Sequence, residues 1–142
     1  NLFIFLFVLF GTNLVMAEGI QHHQKVDGMN VYLDVIPMQH TYKHSSMHGG
    51  TVNKEDSYHI VIALFDIKSG KRITDASVKA SVTPLDREGN NKDLEPTHGD
   101  PLSYGNYFTM QKAVHYNIKV EIQRANEKTK SITMFILKPP QD

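Results

Sequence analysis

Downstream of residue 28 the apolar residues recur at every second position, a period that belongs to strands with one face on a core. A helix would repeat its apolar stripe every 3.6 residues. Val31, Leu33 and Val35 alternate with Tyr32 and Asp34, which predicts a first strand near 29–36 that stops at Pro37. Tyr58 to Asp66 is more continuously apolar (His59-Ile60-Val61-Ile62-Ala63-Leu64-Phe65), as expected of a central strand covered on both sides. Ser69-Gly70-Lys71 reads as a turn, and Ile73 to Thr83 then alternates through Val78, Ala80 and Val82 until Pro84 closes it. Arg87 to Asn91 reads as a second turn, Pro96 and Pro101 bracket an irregular stretch, and Tyr104 to Lys112 resumes as a strand punctuated by Gly105. Tyr116, Ile118, Val120 and Ile122 alternate with Asn117, Lys119 and Glu121; after a connection at 124–129, Ile132, Met134 and Ile136 alternate back.

About seven strands spaced by turn residues, with no amphipathic helix, predict an all-β fold. Two antiparallel sheets packed face to face let each strand hide one side, so an immunoglobulin-like β-sandwich is the simplest closure.

Ahead of this domain, Leu2 to Phe10 is an unbroken apolar run, followed by polar Thr12 and Asn13 and then Val15-Met16-Ala17. That is the pattern of a secretory signal peptide, 1–17, cleaved after the small residue Ala17. The alternative is a retained membrane anchor, but residues 2–17 fall short of the roughly 20 apolar residues that cross a bilayer. The expected organisation is an N-terminal tail at 18–27 and one β-sandwich domain at 28–142, located in the periplasm or otherwise outside the cytoplasm. With no Cys the chain has neither a disulfide framework nor thiolate ligands or nucleophiles. Fifteen Lys plus Arg balance fifteen Asp plus Glu, interspersed without a block of one sign, so neither nucleic acid nor an anionic membrane is expected as a partner. Membrane contact is expected only through an uncleaved signal.

Histidine is the excess. Eight occur: His22 and His23, then His40, His44 and His48 in the polar stretch 37–57, then His59, His98 and His115. A stretch of about 20 residues is too long for an ordinary connection of roughly 4 to 6 residues, and loops of that length tend to be functional or disordered. Neutral imidazole is the commonest metal ligand and the Met thioether prefers Cu(I), so His and Met without Cys point to copper before zinc or iron. The four-residue spacing of His40, His44 and His48 would place them on one face of a short helix; otherwise they are solvated residues of a loop.

His59 opens an apolar strand and Met110 sits late in its own, so either is a strand-end anchor or an ordinary core-edge residue. His48, His59 and Met110 form the candidate three-ligand set, with His44 or His98 as additions. His22-His23 reads as surface because neighbours in an extended chain point to opposite sides, and His115 reads as exposed. No Gly-x-Ser-x-Gly elbow, His-Glu-x-x-His or glycine-rich phosphate loop occurs, so no enzyme is expected.

Leu64-Phe65-Asp66-Ile67-Lys68-Ser69-Gly70-Lys71-Arg72-Ile73-Thr74-Asp75-Ala76-Ser77-Val78, followed by Ser103-Tyr104-Gly105-Asn106-Tyr107-Phe108-Thr109-Met110, resembles the YtkA-like and FixH-like domains of bacterial exported and membrane-associated proteins. The resemblance spans about residues 28–137. It implies a small extracytoplasmic sandwich that binds or delivers copper, with an envelope metalloprotein or transporter as partner, Met110 as the late-strand Met and the His-rich loop supplying other ligands. Thr97 departs from it, standing where related sequences place Met, beside His98. The alternative is a metal-free interaction domain or accessory subunit of an envelope complex.

Overall fold

Asp27 and Gly28 both adopt positive φ, 45° and 75°, and so form a two-residue hairpin turn whose twist matches that of the strands it joins. It connects β1 (His23–Val26) to β2 (Met29–Pro37), so the expected N-terminal tail contributes a strand. The computed structural model describes residues 22–38, 56–98 and 101–140. Within them follow β3 (Ser57–Asp66), β4 (Ser77–Pro84), β5 (Asn90–Pro96), β6 (Tyr104–Thr109), β7 (Tyr116–Gln123) and β8 (Ser131–Leu137).

All pairings are antiparallel, in the order β1-β2-β3-β6-β5-β4-β7-β8. With β1 set aside, β2-β3-β6-β5 and β4-β7-β8 reproduce the two-sheet strand order of an immunoglobulin constant-type sandwich. The all-β fold expected from the alternation is therefore present, with eight strands among the described residues. β5 belongs to both sheets: Asn90 to Leu94 pair with β4, whereas Glu95 and Pro96 pair with Gly105 and Tyr104 of β6.

Alternate residues meet between the sheets. Met29, Val31, Leu33 and Val35 of β2, Tyr58, Ile60, Ile62 and Leu64 of β3, Val78, Ala80 and Val82 of β4, and Tyr116, Ile118, Val120 and Ile122 of β7 are buried together. Tyr104 sits in this core and ties the sheets: its hydroxyl donates to the Ile73 carbonyl (3.2 Å) and accepts from the Ala76 amide (3.0 Å). Asp66 closes the turn after β3 by accepting from the Ser69 amide and hydroxyl, both at 2.9 Å. Those bonds, the backbone one foremost, hold its carboxyl below the ordinary carboxylate range, and Arg124 Nη1 approaches it from the other sheet at 3.4 Å.

Three expectations are corrected. β4 begins only at Ser77; Ile73 is buried, but the stretch up to Ala76 is not strand. Asn90–Pro96 is β5, although Asn90 and Asn91 belong to the expected turn, Pro96 opens the expected irregular stretch and no element is expected between them; only Leu94 in it is buried, so no alternation advertises it. In β8 the apolar phase is inverted: Phe135 and Leu137 enter the core, while Ile132, Met134 and Ile136 are about half exposed (53%, 49% and 55%). The β7 register, with Ile118 opposite Phe135 and Tyr116 opposite Leu137, sets that phase. The eight strands of the described residues run from His23 to Leu137, so a chain cleaved after Ala17 would keep all eight. Phe135→Ala is expected to cost about 3–5 kcal/mol in denaturant unfolding, and Ile132→Ala under about 1 kcal/mol; comparable losses would disprove the inverted phase.

Candidate functional site

His59 is the third residue of β3, and its parity puts the imidazole on the outer face of the sheet, opposite the core phase of Tyr58 and Ile60. It is nevertheless 7% exposed, because its neighbours on both flanking strands enclose it. Ile36 of β2 lies opposite on one side. On the other, Tyr107 of β6 is its cross-strand partner and stacks on it, ring centroids 4.7 Å apart at 28°. Two residues back, Gly105 leaves the room the ring occupies: a Cβ there would lie 2.6 Å from His59 Nε2 and 3.0 Å from the Ile60 carbonyl. The glycine seen in the sequence as a strand interruption is a cradle for this histidine. Burial raises the Tyr107 phenol above its ordinary range.

The parity that encloses His59 separates it from Met110. Met110 follows β6 in the phase of Tyr104 and Phe108, is wholly buried in the core, and donates its amide to the Asp56 carbonyl at 2.9 Å. His59 and Met110 thus occupy opposite faces of one sheet. His98 is exposed in the β5–β6 connection, beyond the Pro96–Tyr104 pair and so roughly 10 Å along the sheet from His59. The Thr97 amide there donates to the Ser103 carbonyl (2.8 Å), and Thr97 Oγ1 accepts from the Ser103 amide (3.1 Å). Among the described residues no three of His, Asp and Glu gather to hold a metal ion. His40, His44 and His48 lie outside the described residues.

The remaining described histidines serve the edge and the surface. His22 Nδ1 donates to the Leu33 carbonyl at 3.0 Å, and His23 Nε2 to Asn30 Oδ1 at 2.8 Å. His23 also stacks on Tyr32 (4.6 Å, 14°), Tyr32 meets Phe65 edge-on at 5.7 Å, and the Arg72 guanidinium lies 4.7 Å over Phe65. This cross-strand row on the same outer face went unread in the sequence, although the Asp27-Gly28 turn signal was there to expose the β1–β2 hairpin that builds it. His115 is exposed, as expected.

Gly105→Ala is expected to cost about 1–3 kcal/mol by overpacking. In a His59→Ala background the cost should shrink, which a double-mutant cycle by denaturant unfolding measures; equal costs in both backgrounds would remove His59 from the cradle. Burial also raises the Tyr104 phenol, so both tyrosines keep their protons in the fold at a pH where the unfolded chain has lost them. Their contribution is complete below the ordinary value of 10.0 and declines as pH rises past it. Melting temperature should therefore fall above about pH 10, less steeply in Tyr107→Phe.

No family model matches the sequence, and no curated protein matches it. Solved structures do share its fold. A DUF4426 family protein from Pseudomonas aeruginosa PAO1 is 14% identical with a TM-score of 0.60, the match covering 84% of this chain and 98% of that one. FetP of uropathogenic E. coli strain F11, as isolated after recombinant expression in the periplasm of E. coli, is 11% identical with a TM-score of 0.64, covering 84% of this chain and 93% of its own. At such identities the likeness is one of fold.

Proposed function

We propose that this chain is an exported, periplasmic metal-binding protein that binds or delivers copper. The observation that carries the reading is His59: an imidazole enclosed near one end of the β2-β3-β6-β5 sheet by Tyr107 and Gly105. The chain between Pro37 of β2 and Ser57 of β3 joins the sheet at that same end, since Pro37 pairs with Tyr58 and Ile36 with His59. That connection carries His40, His44 and His48 in the sequence, which supports a site that draws on them together with His59. The proposed ligand set is His59 with His44 and His48. Met110 drops out of it as a core residue, and His98 is set aside by its distance along the sheet.

Export is supported by the signal-like residues 1–17, and a periplasmic setting by the fold shared with FetP, which was expressed in the periplasm. The resemblance of Leu64–Val78 and Ser103–Met110 to YtkA-like and FixH-like domains points the same way. Neutral imidazoles bind the ion and release it when acid protonates them, so a site of this kind hands over its cargo as pH falls.

The test is titration of residues 18–142 with Cu(I) under reducing conditions and with Cu(II) under air. One-to-one binding tighter than about micromolar is expected. His59→Ala or a His44→Ala/His48→Ala pair should weaken it at least about tenfold, and affinity should fall as pH drops through about 6.5. Met110→Leu should leave affinity within about twofold of wild type, as a volume-conserving core exchange does. Weak, multiple binding indifferent to the histidine substitutions would end the copper reading.

A further inference from the structure

The inverted phase of β8 leaves an apolar stripe outside the core that the described residues form. Ile132, Met134 and Ile136 stand on the outer face of the second sheet, each about half exposed. The alternation continues beyond the strand at both ends into exposed Lys130 and Lys138, so that one phase reads Lys-Ile-Met-Ile-Lys. Lys130 lines the same face as Lys79 and Glu121, in a shallow depression. Lys119 of β7 is the cross-strand partner of Met134, and both line a neighbouring basin of about 410 Å³. Among the described residues the carboxylates of this face are Glu121, opposite Ile132, and Asp93, which lies 4.0 Å from Lys79. Lysines scattered along the sequence are thus collected by the fold around one aliphatic stripe.

We propose that this face docks on an anionic phospholipid surface. Aliphatic side chains on a flat face enter the boundary between headgroups and acyl chains, while lysines at its margins lay their stems along apolar surface and raise their ammonium groups to lipid phosphates. Lys130 and Lys138 are roughly 27 Å apart along the strand, which suits contact with several headgroups. A second copy fits this face poorly. Two-fold packing about Met134 would set Lys130 of one copy against Lys138 of the other and Lys119 against its equivalent, like charge facing like. A protein partner fits less well too: protein interface cores favour aromatic residues, Met and Arg and are depleted in Lys and Glu, and of the outward residues of β7 and β8 (Asn117, Lys119, Glu121, Gln123, Ile132, Met134 and Ile136) Met134 alone is of the favoured kind. The balanced charge of the sequence had argued against an anionic membrane partner; the distribution in space argues for one.

The test is flotation of residues 18–142 with phosphatidylglycerol or phosphatidylcholine vesicles at about 0.1 M salt. Binding to phosphatidylglycerol should be about tenfold tighter or more. An Ile132→Ser/Met134→Ser/Ile136→Ser variant should lose binding about tenfold or more while melting close to wild type, since all three side chains face out. Lys119→Gln/Lys130→Gln/Lys138→Gln should erase the preference between the two lipids, and it carries the test alone if the serine variant melts early. Absence of vesicle binding, undiminished binding by a folded serine variant, or an unchanged lipid preference in the glutamine variant would each overturn the proposal. So would a dimer by light scattering that the serine variant dissolves, which would assign the stripe to a second copy. Copper titration reads a different sheet, so the two proposals fail independently.

Discussion

Strand parity decides the fate of every side chain in this sandwich. In β3 the even residues Tyr58, Ile60, Ile62 and Leu64 enter the core and the odd ones turn outward. Because β6 pairs with β3 residue by residue, Gly105 and Tyr107 must fall beside His59, and Phe108 must fall beside Tyr58. A slip of one residue in that ladder would bury the imidazole among aliphatic side chains and push Tyr58 and Ile60 into solvent. The enclosed histidine and the apolar interior are two readings of one register. Parity also forbids a ligand pair drawn from His59 and Met110, however close they stand in the sheet diagram.

The two sheets are one continuous hydrogen-bonded surface only because β5 changes partners, and the change leaves a gap in the ladder. Lys92 and Asn106 cover it. The Lys92 ammonium donates to the Tyr107 carbonyl at 2.6 Å and lies 5.2 Å over the Phe108 ring, while Asn106 Nδ2 donates to the Asp93 carbonyl at 2.8 Å. Side chains thus satisfy backbone acceptors that the ladder leaves unpaired where strands diverge. Tyr104, hydrogen-bonded across to Ile73 and Ala76, secures the same junction from inside.

Most of the fold was legible because half-buried strands write their periodicity into the chain. β2, β3 and β7 were found to within a residue or two, and Pro37 and Pro84 marked strand ends. β5 was illegible since a strand buried only at Leu94 has no pattern to read. In β8 the apolar residues run on both phases from Met134 to Leu137, so periodicity could not choose between them and the β7 register did. Of the site, His59 stood out through its place at the head of an apolar strand. Its partners Tyr107 and Gly105 did not, because cross-strand contact depends on a pairing that no local pattern encodes.

The strand order has a consequence for how such a chain comes to be folded. Neither sheet is contiguous in sequence: β3 waits for β6, which arrives only after β4 and β5, and β4 waits for β7. A chain emerging from its N-terminus would therefore hold an unsatisfied strand edge along β3 until β4, β5 and then β6 had followed. Long-range pairing of this kind closes late and slowly. For a chain read as exported, that delay favours completing passage before the sandwich locks, when a prematurely stable domain would obstruct its own delivery.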